Sequence, residues 1–199
     1  MKIGILDYGA GNLNSLKNTL RILECEVFIT KNKKVLEEVN LIILPGVGAF
    51  KEAINNLQKH SLDKFILKMH KKNKPILGIC LGMQLLSEGS YEHSFTEGLG
   101  ILKGTFNKDP SNKYFIGWDS LNILKKDSFF NSFNNNNFYY NHSYVFNGPT
   151  DLIIATTTYK AASIIGCNNL IGVQFHPEKS QDSGLLFFQS LLKHLIKID

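Results

Sequence analysis

Apolar residues fall in two different rhythms along this chain, and the change comes at about Gly100. Before it, short unbroken apolar runs alternate with stretches whose apolar positions recur every three or four residues. Lys2 to Asp7, Glu26 to Thr30, Leu41 to Leu44 and the run entered through Pro75 read as buried strands. Leu13, Leu16, Leu20 and Leu23 line up on one face and predict a helix over Leu13 to Leu23. A short polar helix is expected near Val35 to Val39, and a helical region over Lys51 to His70. Strands alternating with helices predict a parallel sheet covered on both faces, with functional sites at the carboxyl ends of its strands.

After Gly100 the runs Ile101 to Phe106, Trp118 to Leu124, Phe138 to Tyr140, Leu152 to Thr157, Ala161 to Gly166 and Leu170 to Phe175 read as strands with few helices between them. They predict an antiparallel extension of the parallel sheet. Asn131 to Asn137, which ends in four consecutive asparagines, reads as an exposed turn. An amphipathic helix from about Ser183 to Ile196 should pack back on the sheet. No repeat or linker interrupts the pattern, so one domain over residues 1–199 is expected. Its class is α/β, a mostly parallel central sheet flanked by helices with an antiparallel β extension.

Composition narrows the partners. The 199 residues are 43% hydrophobic and 20% charged, ordinary for a folded protein. The net charge of +5 is carried by lysine, since Arg21 is the only arginine. Specific recognition of phosphates and bases leans on guanidinium forks, so nucleic acid is not the expected partner. The lysines also scatter, clustering only briefly at Lys31 to Lys34 and Lys71-Lys72. No signal peptide is read before the first strand and no apolar run reaches membrane-span length, so neither secretion nor a membrane is expected. Cys25, Cys80 and Cys167 lack metal-ligand spacing, and a reducing cytoplasm is the expected setting.

Four segments carry candidate chemistry. In Gly78-Ile79-Cys80-Leu81-Gly82 a cysteine is flanked at plus and minus two by glycine, between a predicted strand and a predicted helix. This is the pattern of a nucleophile elbow with Cys in place of Ser. The helix N-terminus beside Cys80 would favour a thiolate, whereas the plainer alternative is a small buried apolar residue. In Pro45-Gly46-Val47-Gly48-Ala49-Phe50 the glycines allow backbone N–H groups to turn outward, as an oxyanion site requires; an ordinary glycine turn is the alternative. Gly9-x-Gly11 follows a strand, but Asn14 stands where a dinucleotide site needs a third glycine, so no cofactor is expected there. The fourth is Gln174-Phe175-His176-Pro177-Glu178, where a histidine at a strand end has a carboxylate two residues on, across a rigid proline. That pair suits a base and the acid that orients it, and the alternative is a surface turn.

Elbow and His-Pro-Glu together resemble the class I, or triad, glutamine amidotransferases, whose glutaminase domains use Cys, His and Glu and share a flavodoxin-like fold. Further motifs occur in the order of one branch of that family: Asp7-Tyr8-Gly9-Ala10-Gly11-Asn12-Leu13, Leu44 to Phe50, Gly117-Trp118, His142-Ser143-Tyr144 and Gln174 to Gln181. Members of that branch feed ammonia to a separate (βα)8-barrel synthase that forms imidazole glycerol phosphate. The resemblance implies Cys80 as nucleophile on the amide of L-glutamine, His176 as base and Glu178 as its support. It implies an oxyanion site from the Leu81 N–H and the Gly46-Val47-Gly48 loop, and glutamine contacts from Gln84, Glu92, Ser143 and Tyr144. Asn12, Trp118, Tyr139 and Lys179 match positions near the barrel interface and tunnel mouth; as plain residues, Trp118 and Tyr139 would be core aromatics. No metal and no cofactor is implied. The chain departs from the branch at Tyr114-Phe115-Ile116, where the family usually has proline, a basic residue and one further residue before Gly-Trp-Asn, and at Asp119 in place of that asparagine.

Overall fold

The computed structural model describes residues 1–109, 114–125 and 129–196. The chain lays down β1 (Lys2–Leu6), α1 (Leu13–Ile22), β2 (Glu26–Thr30), α2 (Lys33–Glu38), β3 (Leu41–Leu44), α3 (Phe50–Lys59), α4 (Leu62–Lys71), β4 (Ile76–Ile79) and α5 (Leu81–Leu85). Then come β5 (Ser87–Ser90), β6 (Thr96–Glu97), β7 (Leu102–Lys108), β8 (Phe115–Ser120) and β9 (Asn122–Ile123). They are followed by β10 (Asn137–His142), β11 (Tyr144–Asn147), β12 (Ile153–Thr156), β13 (Ala162–Cys167), β14 (Leu170–Val173) and α6 (Gln181–Ile196).

The main sheet runs β2-β1-β3-β4-β14-β13-β12-β9. Its first five strands are parallel, and β13, β12 and β9 continue it antiparallel. Alternate residues of each buried strand serve opposite faces, because successive side chains of a strand point opposite ways. Ile3, Ile5, Leu41, Ile43, Leu77 and Ile79 join a core with Leu16 and Leu20 of α1 and Phe187, Phe188 and Leu191 of α6. Leu6, Ile42, Leu44 and Ile76 join a second core with α3, α4 and α5 residues such as Phe50, Leu57, Phe65 and Met83. Both faces of the sheet are thus covered by helices, as the unbroken apolar runs imply. No helix among the described residues is long and apolar enough to cross a membrane.

The structure revises the sequence reading in several places. Leu170 to Phe175 does not belong to the antiparallel extension: β14 pairs parallel with β4, in the middle of the sheet. An apolar run fits either direction, and only the path of the chain decides. The helical region over Lys51 to His70 is two helices, broken at Ser61, which takes the left-handed conformation (φ +52). The predicted strand from Trp118 to Leu124 divides at Leu121. β8 pairs with β10 in a separate two-stranded ribbon, while β9 joins the edge of the main sheet. The helix after Cys80 is only five residues long, and β5 follows it directly in a small sheet ordered β11-β7-β5-β6. Of the asparagine-rich segment only Asn134-Asn135 forms the predicted turn: Asn131 to Phe133 end a 3-10 helix, with Phe133 fully buried, and Asn137 opens β10.

Candidate active site

The parallel strands deliver the candidate residues to one edge of the sheet. Ile79 of β4 sits opposite Val173 of β14, so Cys80 and His176 follow from the ends of neighbouring strands. The Cys80 N–H donates to the Val173 carbonyl at 2.8 Å. Cys80 itself has φ +53 and ψ −108, a conformation that costs a side-chain-bearing residue free energy and that is found mostly at functional turns. The flanking glycines are required by close approach. A Cβ on Gly82 would lie 1.8 Å from the Leu44 carbonyl oxygen, and one on Gly78 would lie 2.7 Å from the Gly82 oxygen. The elbow is therefore clamped between the ends of β3 and β4.

His176 leaves β14 with its backbone N–H donating to the Tyr139 carbonyl at 2.8 Å, and its own carbonyl accepts from the Ser180 hydroxyl at 2.7 Å. Pro177 opens one turn of 3-10 helix, which brings the Glu178 carboxylate back to His176 Nδ1 at 2.8 Å. Both side chains are almost wholly buried. A carboxylate accepts, so Nδ1 carries the proton and Nε2 is the atom left to work. Nε2 is buried with no aligned hydrogen-bond partner. Burial disfavours the imidazolium, but the Cys80 sulfur and the Glu178 carboxylate outweigh it and push the His176 pKa up to about 10. His142, also at this site, behaves oppositely. Its Nδ1 donates to the Tyr144 carbonyl at 3.1 Å, and burial holds it neutral, with a pKa pushed down to about 4. Two histidines with pKa values driven apart mark an acid–base site.

Cys80 opens into a cleft of about 230 Å³ lined by Val47, Gly48, Leu81, Gln84, Glu92, Tyr114, Asn141, His142, Ser143 and Tyr144. All four residues matched to glutamine binding therefore line one cavity, of a size suited to an amino acid. Glu92 also accepts from the Phe50 N–H at 2.7 Å, tying the end of the Gly46-Val47-Gly48 loop to the far wall. Gly46 packs under the elbow, where a Cβ would meet Leu81 Cβ at 2.8 Å. Among the described residues no three His, Cys, Asp or Glu side chains gather as a metal cluster.

A family profile described as glutamine amidotransferase class-I matches residues 4–193. The chain is a class I glutamine amidotransferase. It is 40% identical over 189 residues to the imidazole glycerol phosphate synthase subunit HisH of Listeria monocytogenes, covering 92% of this chain and 91% of that one. The HisH subunit of Lactococcus lactis is 40% identical over 200 residues, covering 98% and 99%, and that of Caldanaerobacter subterraneus is 43% identical over 190, covering 92% and 93%. Among solved structures, a chain of the Thermotoga maritima PurLQS structure matches with a TM-score of 0.77 at 22% identity, covering 98% of each chain. A crystal structure described as a glutamine amidotransferase matches with a TM-score of 0.76 at 17% identity, covering 98% and 99%. At such identities these two structures bear on the fold alone.

The interface candidates of the amidotransferase divide into two places. Trp118 is 47% exposed and stands against Tyr139, with ring centroids 6.0 Å apart, and Lys179 Nζ lies 5.6 Å from the Tyr139 ring centre. Neither aromatic is a core residue. Asn12 caps α1 by accepting from the Ser15 N–H and lines a small recess with Gly46, His176 and Glu178. Sequence reasoning assigned no role to Tyr114, Asn141, His142 or Gln174, all of which reach the cleft or the sulfur. His142 and Gln174 stood inside recognised motifs, and that was the available signal.

The close approach at Gly82 predicts a stability effect. Gly82→Ala should lower the melting temperature by about 10 °C, as expected for a loss of roughly 3 kcal/mol by overpacking in a chain of this size. Gly100→Ala, where no atom lies within 4 Å but φ is +61, should lose only about 1 kcal/mol from strain. Calorimetry of the two variants checks this, and equal melting temperatures would refute the clamp.

Proposed function

We propose that this amidotransferase hydrolyses L-glutamine to glutamate and ammonia, and passes the ammonia to a separate (βα)8-barrel synthase that forms imidazole glycerol phosphate in histidine biosynthesis. The observation that carries the glutaminase reading is Cys80 on a strained elbow beside the buried His176–Glu178 pair, opening into the cleft that holds Gln84, Glu92, Ser143 and Tyr144. The 40–43% identity to HisH subunits over most of the chain supports the pathway.

In this reading the Cys80 thiol proton has passed to His176, whose protonated form Cys80 and Glu178 favour, and the sulfur attacks the side-chain amide carbon of glutamine as a thiolate. The tetrahedral oxyanion is met by the Leu81 N–H and an N–H of the Gly46-Val47-Gly48 loop. Collapse breaks the C–N bond as the His176 imidazolium protonates the leaving nitrogen, so ammonia departs and a thioester remains. Water, deprotonated by His176, then cleaves the thioester to glutamate and restores the thiol. Asn12, Trp118, Tyr139 and Lys179 face the barrel subunit, on the side of the Cys80–His176 pair where Tyr139 accepts from the His176 backbone.

The test is glutamine hydrolysis by the isolated chain and by the chain mixed with a candidate barrel subunit carrying its acceptor substrate. A rise of about 100-fold, a coupling of nearly 3 kcal/mol, is expected. An isolated chain already running at the complexed rate would refute the coupling.

One observation favours a second reading, in which a paralogous glutaminase serves a different synthase such as one amidating a nucleotide-linked sugar. Phe115 occupies the position where relatives of this branch usually carry a basic residue, and its ring packs against Tyr140, His142 and Tyr159. The neighbouring Tyr114 and Ile116 are exposed. The barrel-type synthase that co-purifies with the chain decides between the two.

A further inference from the structure

We infer that Gln174 is a positioning residue for the nucleophile: its side-chain amide donates to the Cys80 sulfur, holds it at the mouth of the cleft and favours its thiolate form over the thiol. The inference rests on Cys80 being the nucleophile and adds a residue that the Cys-His-Glu set does not contain.

Gln174 directly follows β14, one strand over from the elbow. Its backbone N–H donates to the Ser163 carbonyl at 2.9 Å, which anchors the residue, and it is only 1% exposed. Its Nε2 lies 3.7 Å from Cys80 Sγ. Its Oε1 is buried with no partner. A buried amide oxygen without a donor costs on the order of 1–3 kcal/mol, and leucine or methionine would fill the same space without that cost. The amide is therefore an expensive way to fill this corner unless its N–H has work to do, and the group it reaches is the sulfur.

The second neighbour of the sulfur explains what that work is. The Cys80 S–H donates to the Asn141 carbonyl on β10, also at 3.7 Å. The two contacts share the sulfur and respond oppositely when its proton leaves for His176. The S–H···O contact disappears, and the Asn141 carbonyl dipole then faces a negative charge. The N–H···S contact becomes charge-assisted and strengthens. Asn141 thus favours the thiol and Gln174 favours the thiolate, so removing the Gln174 amide leaves the balance on the thiol side.

The ionisable groups around the sulfur are His176 and Tyr8, with Glu178 acting on His176 and His176 in turn on His142. All are retained in a Gln174 variant, so a comparison isolates the amide. The experiment follows iodoacetamide alkylation of Cys80 by peptide mass mapping across pH, in the parent chain, Gln174→Leu and Gln174→Met. In both variants the pH of half-plateau should move up by about one unit, with alkylation about tenfold slower on the acid side of the profile. Their melting temperatures should equal or exceed the parent's, because an unpaired buried oxygen is removed. Gln174→Glu, which replaces the donor by a like charge, should be slower still. Parent-like alkylation profiles in both apolar variants would overturn the inference. So would a large fall in both melting temperatures, which would make Gln174 a structural residue. A parent chain whose Cys80 resists alkylation throughout, while glutamine is still hydrolysed, would refute the nucleophile reading instead.

Discussion

Cys80→Ala is expected to abolish glutamine hydrolysis, by at least about 10⁴-fold, and to leave synthesis from free ammonium salts by the proposed barrel partner unchanged. The size follows from removing the attacking atom of a covalent mechanism, after which only binding and oxyanion contacts remain to assist water. The variant should fold. Alanine is smaller than cysteine, it meets the same backbone cost at φ +53, and the Cys80 N–H bond to Val173 is untouched. The check is paired assays of the reconstituted complex with glutamine and with ammonium chloride. Hydrolysis within about 100-fold of the parent would show that another residue attacks.

Glu178→Gln should have the second largest effect, a fall of about 10³-fold in kcat with the KM for glutamine changed little. The carboxylate touches His176 at 2.8 Å but does not line the cleft, so it acts through the imidazole and not on the substrate. An amide at this position no longer compensates the imidazolium and permits the tautomer with the proton on Nε2, which cannot accept the thiol proton. The pH profile carries the signature. The His176 pKa is raised by Cys80 and Glu178 against its burial, so the protonated imidazole persists to high pH, up to about 10. With the carboxylate neutralised that limit falls, and the alkaline limb of kcat/KM should move to lower pH. A variant with raised KM and an unmoved alkaline limb would place Glu178 in binding rather than in support of His176.

These two predictions rest on residues of unequal visibility in the chain. The Cys80 pentapeptide and His176-Pro177-Glu178 are local: each positions its groups through a few consecutive residues, and glycine or proline at fixed offsets announces the turn. The strand starts of the first half are equally local, because burial on both faces demands unbroken apolar runs. The direction of β14 was not legible in the same way. Leu170 to Val173 would fit an antiparallel or a parallel neighbour, and its place between β4 and β13 depends on the route of the whole chain. That one placement makes the site, since it sets His176 beside Cys80 across 96 residues. The division at Leu121 was hidden for the same reason, as two adjacent apolar stretches chose partners far apart in sequence.

What the sequence determined by itself is the chemistry available: a cysteine in a turn that only glycine neighbours permit, a histidine with its carboxylate, and an alternation of strand and helix that sends loops to one edge. What only the tertiary structure decided is which of these groups meet, and in which charge state. His176 and His142 are the same residue type in comparable burial. One is driven up because a sulfur and a carboxylate face it, and the other is held neutral because burial outweighs the single backbone carbonyl that accepts from it. The surroundings of the Cys80 sulfur, with the Gln174 amide and the Asn141 carbonyl both 3.7 Å from it, are likewise made by three segments distant in sequence. Charge state and contact depend on surroundings within a few ångströms in space, and spacing along a chain does not specify them.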